Sequence, residues 1–321
     1  IMHNVNAERI SAGMISQFLN KQGEAAIYIA KRFLALNTGD RIPNLSDMSA
    51  EAGFGAGTVQ TAIKMLESEK AIRVQSRGHQ GSTLEDIDRV RLWRLVDFPW
   101  ISGAMPLPYT ERLEGIATAL YKQFENREMA FNLQYMRGGK ARIKRLARGL
   151  FDFVVCSKNT AILGQKEYPD IEVLLDFGPG SYMVSSGVVF ADPKETTIRD
   201  GMKIGVDVYS YDHLDLNKRL CSGKDVSFVQ VKYSELFTKL ATHEIDASLW
   251  NWDELQTKFG QWNIRKFNDD DRTRSADATT AVLVIRNSDT SLKLLLSEII
   301  DRQDVLDIQD GVVKKKIIPS Y

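Results

Sequence analysis

Three times within the first 70 residues, apolar positions return at helical spacing. Ile10, Met14, Ile15, Phe18 and Leu19 fall on one face of a helix over 8–20, and Ala26, Ile29, Ala30, Phe33 and Leu36 do the same over 24–36. Asn37-Thr38-Gly39-Asp40 then stops the second helix. A third helix over 57–69 turns Val59, Ala62, Ile63 and Leu66 inward, a full i, i+3, i+4, i+7 set. Just before it, a short helix is expected from Leu45 to Ala52. Asn44 is placed to cap it, with Asp47 three residues on as in a capping box, and Gly53-Phe54-Gly55 makes the turn. Ile72-Arg73-Val74 reads as a strand, Arg77 to Gly81 as a glycine-bounded loop, and Ser82-Thr83-Leu84 as the returning strand. Helices followed by a hairpin is the order of a winged helix-turn-helix, predicted here for residues 1–84.

Residues 85–98 mix charge with Val90, Leu92, Trp93 and Leu95 and read as a linking segment that packs. From Trp100 onward strands alternate with helices. Strands are expected ending at 100–103 and over 129–135, 151–155, 172–177, 184–190, 202–206, 226–231, 247–249 and 281–285. Helices are expected over 109–124, 140–149, 214–220, 234–242 and 291–300. Such alternation predicts an α/β domain over 99–321 with largely parallel sheets.

Composition changes this picture little. The chain has 321 residues, 43% hydrophobic and 26% charged, enough for about two domains with real cores. Lys+Arg and Asp+Glu both total 42, so a nucleic-acid partner has to be met by a local face. Residues 1–84 carry nine Lys/Arg against seven Asp/Glu, a weakly basic reader. Cys156 and Cys221, without a Cys-x-x-Cys, read as buried reduced thiols of a cytoplasmic protein. No apolar run approaches a membrane span, and Ile1-Met2-His3-Asn4 lacks the features of a signal peptide.

Enzymatic chemistry finds little support. His3, His79, His213 and His243 show no metal-ligand spacing, and no G-x-S-x-G elbow occurs. Asp269-Asp270-Asp271 reads as a solvated loop, while Asp152 and Asp246 each open a buried strand as caps or turns. No catalytic residue, metal site or cofactor is therefore expected.

Residues 39–84 resemble the GntR-type winged helix. The carrying residues are Gly39 to Asn44, then Met48 to Val59, then Ala62-Ile63-x-x-Leu66. The resemblance implies that the third helix enters the major groove with Thr58, Gln60, Thr61 and Lys64. It places Asn44 and Ser46 near the backbone, and Arg77, His79 and Gln80 on the wing. Ser46 and Ala56 stand where the family places arginines, and the wing loop is one residue longer. Affinity per monomer is thus expected to be modest, and a homodimer on double-stranded DNA is implied.

The remainder resembles the two-lobed type 2 periplasmic-binding fold, as used in the effector halves of LysR-type regulators. Each half carries a helix, a turn and an Asp opening a buried strand: Gly138-Gly139-Lys140 to Val155, and Glu235 to Leu249. Gly178-Pro179-Gly180-Ser181-Tyr182 would cross between lobes, and the segment before Thr279 would return. This puts lobe 1 at about 99–180 and 279–321, and lobe 2 at about 181–278. Winged helix followed by such a domain resembles the YhfZ group of bacterial proteins.

Ligands in this fold lie at strand ends between the lobes. That picks Ser102, Gly103, Ala104, Arg137, Gly138, Gly139, Ser157 and Lys158 from the first lobe. It picks Tyr209, Ser210, Tyr211, Tyr233, Asn251 and Trp252 from the second. Helix starts, hydroxyls, Arg137 and Lys158 favour an anion. The run Arg137, Lys140, Arg142, Lys144, Arg145 and Arg148 meets no acid in sequence, and its bland reading is a solvated helix face. The expected function is a DNA-binding transcription regulator sensing a small anionic metabolite, with no membrane partner. The alternatives left open are an enzyme on the same fold with an appended winged helix, and a regulator that binds no ligand.

Overall fold

The structure is a computed structural model, which describes residues 20–78, 81–96, 100–258, 262–267 and 276–321. The helix expected over 8–20, His79, Gln80 and Asp269 to Asp271 lie outside the described residues. The chain divides into two compact units: residues up to 101 with 122–132 and 288–301, and residues 102–121, 133–287 and 302–321. The first unit thus takes in stretches of chain from the α/β region.

In the first unit, α1 (Lys21–Phe33) packs on α3 (Ala56–Ser68), with α2 (Leu45–Ala52) beside them. The inward sets are Ala25, Ile29, Ala30 and Phe33 on α1, and Val59, Ala62, Ile63 and Leu66 on α3. Asn44 caps α2 by accepting from Asp47 N–H at 2.8 Å, and α2 ends at Gly53 with φ +70°, which favours glycine. The wing is the antiparallel pair β1 (Ile72–Ser76) and β2 (Ser82–Ile87), longer than expected because its pairing runs from Ser76–Ser82 back to Ile72–Ile87. The expected linker is therefore the end of β2 and a helix, α4 (Arg89–Leu95), which buries Leu92 and Trp93.

Arg89 carries a buried polar junction in this unit. Its side chain is buried and donates to the Leu34 and Leu36 carbonyls just past the end of α1. Its remaining arm pairs with Glu298 on α12 (Thr290–Ile299). Carbonyls at a helix end have no partner within the helix, and a cation placed there also meets the negative end of the helix dipole. Gln123 adds a reciprocal pair with Asp301, donating to its carbonyl at 3.1 Å and accepting from its N–H at 2.9 Å.

The two-lobed α/β region holds two five-stranded sheets. The first runs β4-β3-β5-β12-β6, from β3 (Trp100–Met105), β4 (Ala130–Tyr135), β5 (Phe153–Ser157), β6 (Ile171–Asp176) and β12 (Ala281–Arg286). The second runs β11-β7-β10-β8-β9, from β7 (Ser186–Phe190), β8 (Lys203–Val206), β9 (Ser227–Gln230), β10 (Ala247–Asn251) and β11 (Asn263–Lys266). Both sheets are mixed rather than largely parallel. β3 and β5, β8 and β9, and β8 and β10 pair in parallel, whereas β12 runs against β5 and β6, and β7 against β10 and β11. Parallel neighbours need a long crossover, usually a helix. The strands entering directly from the crossovers between lobes come in from the opposite end.

Helices cover these sheets: α5 (Glu111–Asn126), α6 (Gly139–Ala147), α7 (Lys158–Glu167), α8 (Tyr211–Leu220), α9 (Leu236–Ala241), α10 (Trp252–Lys258), α11 (Ala276–Thr279) and α13 (Arg302–Val313). β5 and β7 are buried along their whole length, as strands covered on both faces must be. Ile143 and Leu146 of α6 pack with Val154 and Cys156 of β5 in the first lobe. Phe190, Ile204, Leu216 and Leu249 form the corresponding core of the second. Both cysteines are buried thiols, and burial pushes the Cys156 thiol up to about 12.

The lobes repeat one local device. Asp152 donates its N–H to Ser102 O and accepts the Ser102 N–H on its carboxylate, both at 2.8 Å. Asp246 does the same with Lys203, at 2.8 and 2.7 Å. Each Asp thus locks two neighbouring parallel strands together, β3 to β5 in the first lobe and β8 to β10 in the second. Between lobes, the two crossing segments are joined: Tyr182 N–H donates to Thr279 O at 2.9 Å, and Ala281 N–H to Ser181 Oγ at 2.8 Å. Gly178 and Gly180 sit at φ +88° and +80°, where a side chain would be strained.

Asp152→Ala leaves a buried N–H without its acceptor and is expected to lower stability by about 1–3 kcal/mol. Asp152→Asn, which retains an acceptor oxygen, is expected to cost less. Urea unfolding of the two variants checks this; equal losses would remove the carboxylate–amide bond as the cause.

Candidate functional site

Two surfaces invite function, one on each unit. On the first, burying Val59, Ala62, Ile63 and Leu66 leaves Gln60 and Lys64 of α3 exposed, with Thr58 and Thr61 half-buried. Thr61 Oγ donates to Gly57 O at 2.9 Å, so its hydroxyl is turned along the helix. Asn44 and Ser46 are exposed at the start of α2 but engaged with one another: Ser46 Oγ donates to Asn44 Oδ1 at 2.6 Å, and Asn44 Nδ2 to Asp47 at 2.7 Å. Their capping role uses the polar atoms the sequence reading aimed at DNA. Arg77 is exposed at the base of the wing, its N–H bonded to Gly81 O at 2.8 Å. Arg41 was not singled out from sequence, yet its guanidinium lies against Gly81 and adds an exposed cation beside the wing.

The second unit contains a cavity of about 170 Å³ between its lobes. The first lobe contributes Pro106, Leu107 and Tyr109 after β3, and Arg137, Gly138, Gly139 and Arg142 around the start of α6. The second contributes Asp207, Ser210, Asp212 and His213 around the start of α8, and Asn251 and Glu254 around the start of α10. Leu216, Leu249 and Trp250 form an apolar wall.

Arg142 is the buried cation of this cavity, at 2% exposure. It donates Nη1 to Met136 O at 2.7 Å, while its buried Nε–H has no hydrogen-bond partner. A solvated face was expected for it, and that reading is corrected here. Gly139, Arg142, Ile143 and Leu146 make one buried stripe of α6, so the arginine rides on the apolar face. Lys140, from the same run, pairs with Glu167 at 2.8 Å. Arg137 is exposed at the cavity edge and donates to the Tyr109 hydroxyl at 2.8 Å.

Asp212 bridges the lobes. Standing in the first turn of α8, it accepts from Ser157 Oγ at 2.5 Å, Asn159 Nδ2 at 3.0 Å and Thr160 Oγ at 3.2 Å, all on the first lobe. Desolvation raises its pKa, and these three bonds pull the other way. Asn159 also reaches Asp215 at 3.2 Å. His213, beside it, is held neutral by burial. Its Nδ1 accepts from Asp207 N–H at 3.0 Å, so Nε2 carries the proton to Leu249 O at 2.9 Å. This ties the loop bearing Asp207 to the sheet.

Of the residues picked from sequence, Arg137, Gly138, Gly139, Ser210 and Asn251 line the cavity. Ser102, Gly103 and Ala104 do not, because β3 continues to Met105 and the cavity takes the residues beyond. Gly103 instead admits the Phe153 ring, which a Cβ would approach to 2.4 Å. Ser157 is spent on capping α7 and on Asp212, and Lys158 pairs with Asp176 at 3.0 Å. Tyr209 is 61% exposed, outside the lining. Tyr211 and Trp252 carry the ammonium groups of Lys140 and Lys266 over their rings, at 5.2 and 4.8 Å. Tyr233 opens a 3-10 turn, Tyr233–Glu235, and its side chain lies outside the described residues. Among the described residues no group of His, Cys, Asp and Glu could hold a metal ion, and no helix is long and apolar enough to cross a membrane.

Comparisons with known proteins agree with this architecture. A helix-turn-helix domain model matches residues 37–84, and the YhfZ C-terminal domain model matches residues 88–321. An uncharacterized YhfZ protein of Escherichia coli K12 is 29% identical over 306 residues, covering 95% of this chain and 99% of that protein. The crystal structure of YhfZ from Shigella flexneri superposes with a TM-score of 0.60 at 28% identity, over 73% of this chain and 98% of that one. The alkanesulfonate-binding protein SsuA from Xanthomonas axonopodis pv. citri, bound to MOPS, shares the two-lobed fold. It has a TM-score of 0.51 at 14% identity, over 68% of this chain and 75% of that one. With a helix-turn-helix domain leading into a two-lobed α/β domain of the periplasmic-binding-protein type, the chain belongs to the YhfZ family.

Proposed function

We propose that the protein is a transcription regulator that reads double-stranded DNA with its winged helix and senses a small metabolite carrying an anionic group in its cleft. The observation that carries this reading is the pairing, in one chain, of a helix-turn-helix with exposed Gln60 and Lys64 and a cleft whose lobes are clasped through Asp212. SsuA, which shares the fold, is bound to the sulfonate buffer MOPS, and a small charged molecule between the lobes fits the same architecture. The reading places the protein in the cytoplasm as a homodimer of GntR-like readers, because the weak basic charge of one winged helix gives modest affinity alone.

The mechanism follows from unequal binding. A ligand that contacts both lobes stabilises the clasped arrangement over an open one, and shifts the population by its difference in affinity for the two. The DNA-binding halves of a pair are spaced differently in the two populations, so occupancy of the cleft changes affinity for an operator. Arg137, Gly138 and Gly139 serve the anionic group, through a guanidinium and the free N–H groups that open α6. Ser210 and Asn251 contact it from the second lobe. On DNA, Gln60 reads a base edge, while Thr58, Thr61, Lys64, Arg77, His79 and Gln80 hold the backbone or wing contacts.

The direct test is fluorescence anisotropy of the full chain on DNA taken from upstream of its own gene, against random DNA of equal length. Tighter binding to the upstream fragment is expected; equal binding at every salt concentration would refute the reading. Gln60→Ala is expected to weaken the specific complex about 5- to 100-fold, the range of one lost base contact, while leaving random DNA nearly unaffected. Equal losses on both would remove Gln60 from base readout. Separately, a thermal-shift screen of small carboxylates, sulfonates and phosphates is expected to yield at least one that raises Tm. Arg137→Ala should shrink that shift, and an unchanged shift would take Arg137 out of the site.

A further inference from the structure

Three buried polar residues open α7 in the first lobe: Ser157, Asn159 and Thr160. Buried hydroxyls and amides cost stability unless each is met. All three are met by one group that arrives from the second lobe. Asp212 Oδ2 accepts from Ser157 Oγ at 2.5 Å and from Thr160 Oγ at 3.2 Å, and its Oδ1 accepts from Asn159 Nδ2 at 3.0 Å. Both carboxylate oxygens are thus engaged. Ser157 Oγ also accepts the Thr160 N–H at 3.0 Å, which leaves its own hydrogen for the carboxylate. The positive end of the α7 dipole and the attraction of Arg142 favour the same group. Asp215, a like charge that Asn159 also reaches, is paired with Arg219 at 2.8 Å.

None of these bonds uses the covalent link between the carboxylate and α8. Hydroxyl and amide donors around a helix start are what a free carboxylate requires of a receptor. The chain next to Asp212 is seated on the same lobe. Ser210 caps α8 by accepting the His213 N–H at 3.2 Å, which fixes the turn that carries Asp212. Lys140 of the first lobe stands over the Tyr211 ring at 5.2 Å. A Cβ on Gly138 would lie 3.4 Å from the Tyr209 carbonyl oxygen, so the first-lobe backbone approaches this stretch closely. Residues 209–212 therefore present a carboxylate to the first lobe much as a bound molecule would.

We propose that the first lobe carries a carboxylate-binding site at the start of α7, that Asp212 is its tethered occupant, and that a free small carboxylate takes the same place when the tethered one is removed. Lobe closure and carboxylate binding then compete for one set of donors. The tether holds Asp212 at a high effective concentration, so an untethered carboxylate displaces it only when further contacts assist. An anion that does so parts the lobes, the opposite of a ligand that contacts both. The site is distinct from the start of α6, and the inference rests neither on DNA binding nor on the sensing role.

The test removes the tethered group and supplies it in solution. Asp212→Ala deletes the carboxylate, and Asp212→Gly the adjoining methylene as well, which makes room for formate and for acetate respectively. Thermal unfolding of the full chain is followed in each salt from about 1 to 300 mM, against sodium chloride at equal ionic strength, because a ligand of three or four non-hydrogen atoms binds at about millimolar or weaker. Both variants are expected to melt below the wild type. Formate is expected to raise the Tm of Asp212→Ala more than acetate does, and the order to reverse on Asp212→Gly, each with the logarithmic rise of a single site. The wild type, whose donors are taken, should gain no more than it does from chloride. Adding Asn159→Ala and Thr160→Val to Asp212→Ala removes two of the donors and should abolish the formate effect. Where a variant fails to fold alone, refolding yield replaces Tm, and the matching anion is expected to restore it. The proposal is overturned if neither anion acts beyond chloride, if both variants prefer the same anion, if the wild type gains equally, or if the effect survives loss of the Asn159 and Thr160 donors. No readout here involves DNA, so failure of this site leaves the regulator reading standing, and failure of DNA binding leaves the site.

Discussion

A charge removed from water has to be met by an opposite charge or by hydrogen bonds, and the two-lobed unit is organised around two such charges. Asp212 meets its requirement with donors from the opposite lobe, Ser157, Asn159 and Thr160. Those donors sit at the start of α7, where Ser157 also caps the helix by accepting the Thr160 N–H. Opening the lobes would strand the Asp212 carboxylate or force it into water, so the clasp and the helix start stand or fall together. Arg142 meets its requirement through Met136 O and the attraction of Asp212, and only its Nε–H is left without a partner. Asp212 thus joins the lobes from within the protein, and Arg142 keeps one N–H that the protein does not meet.

The surrounding scaffold is economical in its means. Each lobe fixes two parallel neighbouring strands with a single aspartate, Asp152 on Ser102 and Asp246 on Lys203. Both crossing segments run side by side and are bonded through Ser181, Tyr182 and Thr279. In the other unit, Arg89 gathers the end of α1, its own helix α4 and Glu298 of α12 on one side chain. Through it, helices that read as separate domains in sequence belong to one compact body.

The fold was legible where burial and apolar spacing coincide. Val59, Ala62, Ile63 and Leu66 announce α3, and the alternation after Trp100 announces the α/β class, confirmed by both the sheets and the family match. It was illegible where the buried face is polar. α7 buries Asn159 and Thr160 against the Asp212 carboxylate, and meets the hydrophobic layer only through the small Ala161 and Gly164. α13 buries Gln309 and Gly311 among its valines: Gln309 donates to the Arg112 and Ser181 carbonyls, and Gly311 receives the Ile317 side chain. Arg142 escaped for the same reason, since charge suggested solvent while its position in the stripe with Ile143 and Leu146 pointed inward. Strand ends were misplaced by a residue or two, enough to move Ser102, Gly103 and Ala104 out of the cavity and to bring in Pro106 and Leu107.

The proposed coupling between cleft and DNA can be measured without knowing the ligand. Asp212→Ala removes the clasp while leaving the winged helix untouched. The dissociation constant of the full chain for its own upstream DNA, wild type against this variant at one fixed salt concentration, reads the coupling directly. A change of about tenfold, worth roughly 1.4 kcal/mol, is expected in a protein whose lobes govern its reader. An identical dissociation constant, with the variant folded, would contradict the account.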